Sequence, residues 1–443
     1  MDLLSFRTPG LGDQTYLFVH EGRGILVDPQ RDIERFLAAA AERDVELRFV
    51  LETHLHNDYV SGGEQAALRT GAELVLPAAA AVAYRHTPAF HLEDIKADGL
   101  VLRPIHTPGH TPEHTSYLVL VDEEPVAVFS GGSLLVASAG RPDLLGTARA
   151  RTLARLQYGS LHRLAGLPRD VALYPTHGEG SFCTATGAGR FVSTIGDEVD
   201  TNPLLAAGDV EEFADRLLAA PMPIPAFYQY MGPANTLGVP PMPPLAAPDL
   251  TVADLADQPE GTQVLDIRPR AVQARGLLPG SVGVELGDDF GSWAGWLLPY
   301  QAPIVLVAES SQDVIEAVTQ LAQIGIDTVR GVIRDLDGAA TATFGLLDLA
   351  AFRLRLADPT VQVLDVRMPH ERDTVRLPGA VERFLPDLVT HGVPTDLDPE
   401  RPVLIACGSG RRAAVAATLL ARDGYQSAIL TGAGIAELAA TRS

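Results

Sequence analysis

Two sets of residues in this chain have the types and spacing of reaction centres. The first is a histidine cluster. Thr53-His54-Leu55-His56-Asn57-Asp58-Tyr59 follows directly on an apolar run, Leu47 to Glu52, that reads as a buried strand. Loops at strand ends are where α/β proteins place chemistry. Two imidazoles one residue apart can turn toward one cation, and a nearby carboxylate can bind it or orient a ligand. His110, in Thr107-Pro-Gly-His-Thr111, and His177, in Tyr174-Pro-Thr-His-Gly178, follow other strand-like runs. The pattern predicts a metal centre for which His54, His56, Asp58, His110 and His177 are the candidate ligands or ligand orienters. Ten of the twelve histidines precede residue 180, which places that centre in the first part of the chain.

The second set surrounds Cys407. Val403 to Ala406 reads as a buried strand, followed by Cys407-Gly408-Ser409-Gly410-Arg411-Arg412 and an alanine-rich helix, Ala413 to Arg422. A cysteine in a glycine-rich turn at a helix N-terminus meets several backbone N–H groups and the positive end of the dipole. Its thiolate is stabilised, which raises the fraction ready to attack at neutral pH. Nucleophilic catalysis by Cys407 is expected, with Arg412 strengthening the field. Gly408, Ser409, Gly410 and Arg411 are expected to line the place of an anionic donor. The other cysteine, Cys183, follows the His177 loop in His177-Gly-Glu-Gly-Ser-Phe-Cys183 and is expected to be structural, because free cysteine is among the most buried residue types.

These residues need elements to hold them. In the first part, strands are expected at Thr15 to His20, Gly24 to Asp28, Leu47 to Glu52, Leu100 to Ile105, Ser116 to Val121, Val126 to Phe129 and Ala172 to Tyr174, with helices at Asp32 to Arg43, Gly63 to Thr70 and Thr147 to Leu164. That mixture predicts helices packed outside sheets. The segment Pro221 to Asn235 and the run Pro240 to Pro248 are too proline-rich for helix or central strand and read as a linker or wrapping arm. Beyond them the chain repeats. Gln263-Val-Leu-Asp-Ile-Arg268 matches Gln362-Val-Leu-Asp-Val-Arg367, and Leu278-Pro-Gly280 matches Leu377-Pro-Gly379, each pair 99 residues apart. Two homologous α/β modules with parallel sheets follow from this. The expected division is 1–235, 236–344 and 345–443.

Composition bounds the function classes. A formal charge of -22 over 443 residues repels phosphate backbones, and the basic residues gather into no single face or tail, so nucleic acid is excluded as an expected partner. No uninterrupted apolar stretch is long enough for a membrane span. The start lacks a basic-then-apolar export pattern, and two cysteines in so long a chain fit a reducing compartment, so a cytoplasmic location is expected. Small-molecule substrates are favoured, and a homo-oligomer is compatible with the sequence.

His54-x-His56-x-Asp58, Pro108-Gly-His110 and Pro175-Thr-His177 resemble the metallo-β-lactamase superfamily. That resemblance implies an αββα sandwich binding metal at its strand ends. Ser61-Gly62, Phe129-Ser-Gly-Gly-Ser-Leu-Leu135 and Gly140-Arg-Pro-Asp-Leu144 resemble its persulfide dioxygenase branch. The chain departs from the superfamily at two metal ligands, carrying Tyr59 in place of a histidine and Gly132 in place of an aspartate. The resemblance therefore implies a metal held by His54, His110 and, in place of the lost aspartate, His56, with Asp58 and His177 in supporting or weaker ligand positions. Cys407, Gly410 and Arg412 resemble the Cys-x-x-Gly-x-Arg loop of the rhodanese family, whose cysteine carries a persulfide, and Asp365-Val-Arg367 resembles its earlier strand end. The preceding module has Ala308 where the cysteine would stand, with Glu309 to Asp313 opposite the glycine and arginine loop, so it is expected to be catalytically degenerate. Its Trp293 and Trp296 are expected to pack against a neighbour. The resemblances imply a fusion of a persulfide dioxygenase-like domain with a sulfurtransferase, acting on a low-molecular-weight thiol persulfide and yielding sulfite or thiosulfate, with one iron (Fe2+) per chain. The alternatives are a zinc-dependent hydrolase of thioester-type substrates and a sulfurtransferase with a retired metal site.

Overall fold

The computed structural model describes residues 1–97, 99–184, 190–219 and 222–440 of the protein. The chain divides into two compact units at Pro243/Pro244, with the short stretch Ala322–Gly325 grouped with the first.

The first unit holds two six-stranded sheets. In one, the strands Asp2–Thr8, Asp13–His20, Arg23–Val27, Glu46–Leu51, Glu73–Pro77 and Thr87–Ala89 lie side by side in chain order. The other runs Ser193–Thr194, Ala172–Pro175, Glu124–Gly131, Thr115–Val121, Leu100–His106, Ile95–Ala97. Alternation along each strand sends neighbouring side chains to opposite faces. Tyr16, Phe18, Ile25, Val27, Phe49 and Leu51 therefore enter the core between the sheets, where they meet Leu102, Tyr117, Val119 and Phe129. Their neighbours Leu17, Leu26 and Val50 face outward under Phe36 and Ala66, from the helices Glu34–Ala41 and Gly63–Thr70. Helix Thr147–Ala165 covers the second sheet through Ala154, Leu161 and Leu164, with Val128 and Leu173 beneath it. Each fully buried aromatic or aliphatic side chain contributes about 1.5–3 kcal/mol to holding these layers together. The result is an α/β/β/α sandwich.

Every strand and helix expected in this part is present, with ends within two residues of the expected ones. The proline-rich arm departs from expectation, since Tyr228–Leu237 is a helix with Pro233 inside it. Tertiary contacts offset the hydrogen bond that proline removes. Asn235 Nδ2 donates to the carbonyls of His56 and Tyr59, both at 2.8 Å, and its Oδ1 accepts from Ser61 N at 2.8 Å, so the arm is tied to the histidine loop.

The second unit contains two five-stranded parallel sheets with one topology. The first is ordered Asp249–Leu250, Val329–Ile333, Ile304–Val307, Gln263–Asp266, Val282–Gly283, and the second Gly345–Leu347, Ser427–Leu430, Val403–Ala406, Gln362–Asp365, Val381–Glu382. The three strands at the end of each order keep the offset of 99. In both modules a buried aspartate at a strand end holds the arginine two residues on, Asp266 with Arg268 at 2.6 Å and Asp365 with Arg367 at 2.8 Å. The modules also pack on each other. Gly283 N donates to Thr418 Oγ1 at 3.0 Å, and the rings of Trp296 and Phe384 meet edge to face at 5.4 Å, the packing expected of that tryptophan.

Candidate functional site

In the first unit, His54, His110 and His177 are brought together. Their ring centroids form a near-equilateral triangle with sides of 4.9, 5.3 and 5.2 Å. Each ring has its Nδ1 side engaged. His110 Nδ1 donates to Arg141 O at 2.8 Å, and His177 Nδ1 stands 2.7 Å from Asp13 Oδ1. His54 Nδ1 lies 2.9 Å from Thr53 Oγ1, whose own proton goes to Asp28 Oδ2, so the ring nitrogen is the donor there. The Nε2 nitrogens then carry lone pairs. Those of His54 and His177 face each other at 3.3 Å, an arrangement with nothing to recommend it without a cation between them. Two imidazoles bound tetrahedrally at about 2.0–2.1 Å would place their nitrogens about 3.3 Å apart, so the donor set fits a metal ion. Burial drives the pKa of all three rings down, which keeps them neutral and available as ligands.

His56 belongs to the same cluster, its ring centroid 4.1 Å from that of His54, and it groups with Asp28 and His54 and with Asp58 and His177 as a possible ligand. Its buried Nδ1 has no hydrogen-bond partner among the described residues and lies 4.0 Å from Asp58 Oδ1, while its other nitrogen is engaged. Its Nε2 lies 3.3 Å from Asp28 Oδ1, 3.2 Å from Glu52 Oε2 and 3.0 Å from Tyr59 Oη. Burial opposes a charge on this ring, but the two carboxylates prevail and raise its pKa well above the usual value. Tyr59 stacks on it at 4.3 Å and donates to Asp28 O, filling the space beside the loop. Asp58 is fully buried next to Asp13, and its Oδ2 lies 3.4 Å from both His177 Nδ1 and the Cys183 thiol. Burial pushes Asp13 up to about 8 and Asp58, with Asp13 adding to the effect, to about 7. Cys183 is buried and raised by that burial, with Tyr228 Oη at 3.8 Å as its other neighbour.

Gly132 sits against His110. A Cβ at that position would stand 2.3 Å from His110 Cδ2, so no aspartate fits there with the ring where it is. The Gly132 N–H donates instead to His114 Nε2 at 3.0 Å. His114, Asp13, Asp28 and Glu52 position this site and carry no motif that sequence alone would single out, whereas Arg141, which holds His110 through its carbonyl, lies in the Gly140 to Leu144 motif. Asp28 joins two of the histidine loops. It accepts from Thr53 N and Thr53 Oγ1, each at 2.7 Å, and from Thr176 Oγ1, so it fixes the residues immediately before His54 and His177.

In the second unit, Cys407 ends the strand Val403–Ala406 and precedes the twelve-residue helix Arg411–Arg422. Its Sγ accepts the Gly410 N–H at 3.1 Å. Gly410 has φ +86°, and a Cβ there would stand 2.7 Å from Leu430 O, so the loop requires glycine on both conformational and steric grounds. Gly408 and Ser409 are exposed at the loop surface. Both loop arginines are engaged: Arg412 forms a bidentate pair with Glu371, and Arg411 bonds Asp289 of the preceding module. Burial opposes the Glu371 charge, but Arg412 holds its carboxyl below the usual range. In the preceding module the corresponding loop is tied down by Arg334, which donates to Glu309 O at 2.8 Å and Gln312 O at 3.1 Å.

The family model described as the metallo-beta-lactamase superfamily matches residues 9–177, and the rhodanese-like domain matches residues 348–440. A hydroxyacylglutathione hydrolase of Acidiphilium cryptum is 32% identical over 48% of this chain and 94% of its own length. A probable metallo-hydrolase of Burkholderia pseudomallei is 26% identical over 48% of this chain and 83% of its own. A crystal structure of a metallo-beta-lactamase from Staphylococcus aureus covers 75% of this chain and 99% of its own at 25% identity, with a TM-score of 0.67. With a two-sheet sandwich, a histidine cluster at its strand ends and a relative matched over nearly its full length, the chain belongs to the metallo-β-lactamase superfamily and carries a rhodanese-like domain at its C-terminal end.

Proposed function

We propose that this protein handles sulfane sulfur, as a sulfurtransferase at Cys407 joined to a single-metal centre that acts on low-molecular-weight thiol persulfides. The observation that carries the reading is the Cys407 loop, in which the sulfur meets a backbone N–H at the start of a long helix. A thiolate held there attacks the outer sulfur of thiosulfate. The new S–S bond forms as the old one breaks, sulfite leaves with the electron pair, and Cys407 is left as a persulfide. A thiol or sulfite acceptor then takes the sulfur and restores the thiolate.

The proposed ligands are His54, His110 and His177, with His56 a further candidate through its unpartnered Nδ1 while Asp28 and Glu52 hold its Nε2. Three neutral imidazoles suit iron and zinc alike. Iron, when bound, supplies the redox chemistry by which dioxygen and water convert a persulfide to thiol, sulfite and two protons. The chain's own part is to set each histidine tautomer through Thr53, Arg141 O and Asp13, and to keep the cluster dry. Asp58 positions His177. The proposed division remains 1–235, 236–344 and 345–443, the middle module lacking the thiol.

A second reading, hydrolysis of thioester-type substrates on zinc, draws support from the likeness to hydroxyacylglutathione hydrolases. Cys407→Ser is expected to abolish sulfur transfer from thiosulfate to cyanide while leaving thermal unfolding unchanged. Retained transfer in that variant would sink the sulfurtransferase reading.

A further inference from the structure

The two arginines of the Cys407 loop are both committed to carboxylates, Arg412 to Glu371 and Arg411 to Asp289. Neither can turn to an anion at the sulfur without giving up a charge-assisted bond. A third guanidinium stands at the loop. Arg270 opens the short helix Arg270–Gln273 of the module that has no thiol, and its Nη1 donates to Ser409 O at 3.2 Å. The same nitrogen would be 3.2 Å from a Cβ on Gly410, the residue whose N–H touches the sulfur. Glu285 grips Arg270 only through Nε, at 2.6 Å, which fixes the plane of the guanidinium. Among the described residues its Nη2 donates to nothing. Trp293, from the same module, has its ring 6.0 Å from the Arg412 guanidinium and donates from Nε1 to Asp289 at 3.1 Å.

We infer that Arg270 selects anionic sulfur donors for Cys407, so that the module without a cysteine supplies a further cation at the cysteine loop, one that keeps Nη2 available while Glu285 holds Nε. The ligand class is a small oxyanion bearing a transferable sulfur, with thiosulfate as the probe. The inference rests on the reading of Cys407 as the sulfur carrier. Arg270 is anchored at the loop through Nε and Nη1, and the N–H groups of its Nη2 are the donors an oxyanion would accept.

The test compares alkylation of Cys407 in the full-length protein by iodoacetate, an anion, and by iodoacetamide, which is neutral, with the labelled peptide quantified by mass spectrometry. Arg270→Ala is expected to lower the iodoacetate rate about tenfold relative to the iodoacetamide rate, the scale of one charge-assisted hydrogen bond, and Arg270→Lys to restore part of it. The KM for thiosulfate is expected to rise about tenfold in Arg270→Ala with kcat nearly unchanged, as for a contact made equally in ground and transition states. An equal fall with both reagents would mean that Arg270 only shapes the loop and would overturn the inference, as would no change in either assay. If Cys407→Ser retains transfer, the functional reading fails. If that variant is inactive while Arg270→Ala behaves as wild type, this inference alone fails.

Discussion

Replacing Asp28 with alanine removes the acceptor on which the histidine cluster is hung. The carboxylate is fully buried and receives the Thr53 N–H, the Thr53 hydroxyl and the Thr176 hydroxyl, with His56 Nε2 at 3.3 Å. At about 1.5–3 kcal/mol for each bond to a charged acceptor, three such bonds would sum to about 4.5–9 kcal/mol. They share one carboxylate and are not additive, so the cost of breaking a buried charge pair, about 3–5 kcal/mol, is the better guide. That is a large share of the roughly 5–15 kcal/mol that stabilises a domain. Asp28→Asn keeps an acceptor oxygen and is expected to lose only about 1–2 kcal/mol. Both tryptophans lie in the second unit, so the first is followed by tyrosine near-UV circular dichroism during urea unfolding. Asp28→Ala should also lower bound metal, because Thr53 and Thr176 no longer fix His54 and His177. A loss below about 1 kcal/mol with wild-type metal content would refute the keystone role.

Two further outcomes follow from the second unit. The Glu371 carboxyl is held below 4.5 by Arg412, so its pairing stabilises the fold above that pH, and the stabilisation is lost as pH falls through the depressed value. Glu371→Gln should therefore lower stability at neutral pH and flatten the acid-side decline, read by tryptophan fluorescence; an unchanged acid profile would contradict the pairing. Gly410→Ala forces an L side chain to φ +86° against Leu430 O, at a cost of about 1–2 kcal/mol for the conformation alone. Sulfur transfer should fall more than about tenfold as the N–H moves off the sulfur, and wild-type activity would show that this bond is not needed.

The strands of the sandwich were legible as short apolar runs and its layering from the histidine motifs that carry the family resemblance, and the paired modules because their strands repeat at a fixed offset. The Cys407 loop was legible because glycines and a following helix are local signals. The orientation of His56 was not. It depends on Asp28, from the end of the neighbouring strand, on Glu52, four residues before it, and on the stacked Tyr59. His114 and Asp13 are single polar residues with no periodic signature, and only packing shows that they meet the cluster. Arg411 was expected to face a substrate, yet its partner Asp289 is 122 positions away in sequence. The helix at Tyr228–Leu237 was hidden by Pro233, because the contacts of Asn235 that hold it are entirely tertiary.

The most direct test of a sulfur-handling metal centre is oxygen uptake by anaerobically iron-loaded protein given glutathione persulfide, with sulfite measured alongside. The account predicts one oxygen consumed per sulfite formed, and loss of both in His177→Ala but not in a variant confined to Cys407. No oxygen uptake by the iron-loaded protein, together with thioester hydrolysis by the zinc-loaded form, would contradict it.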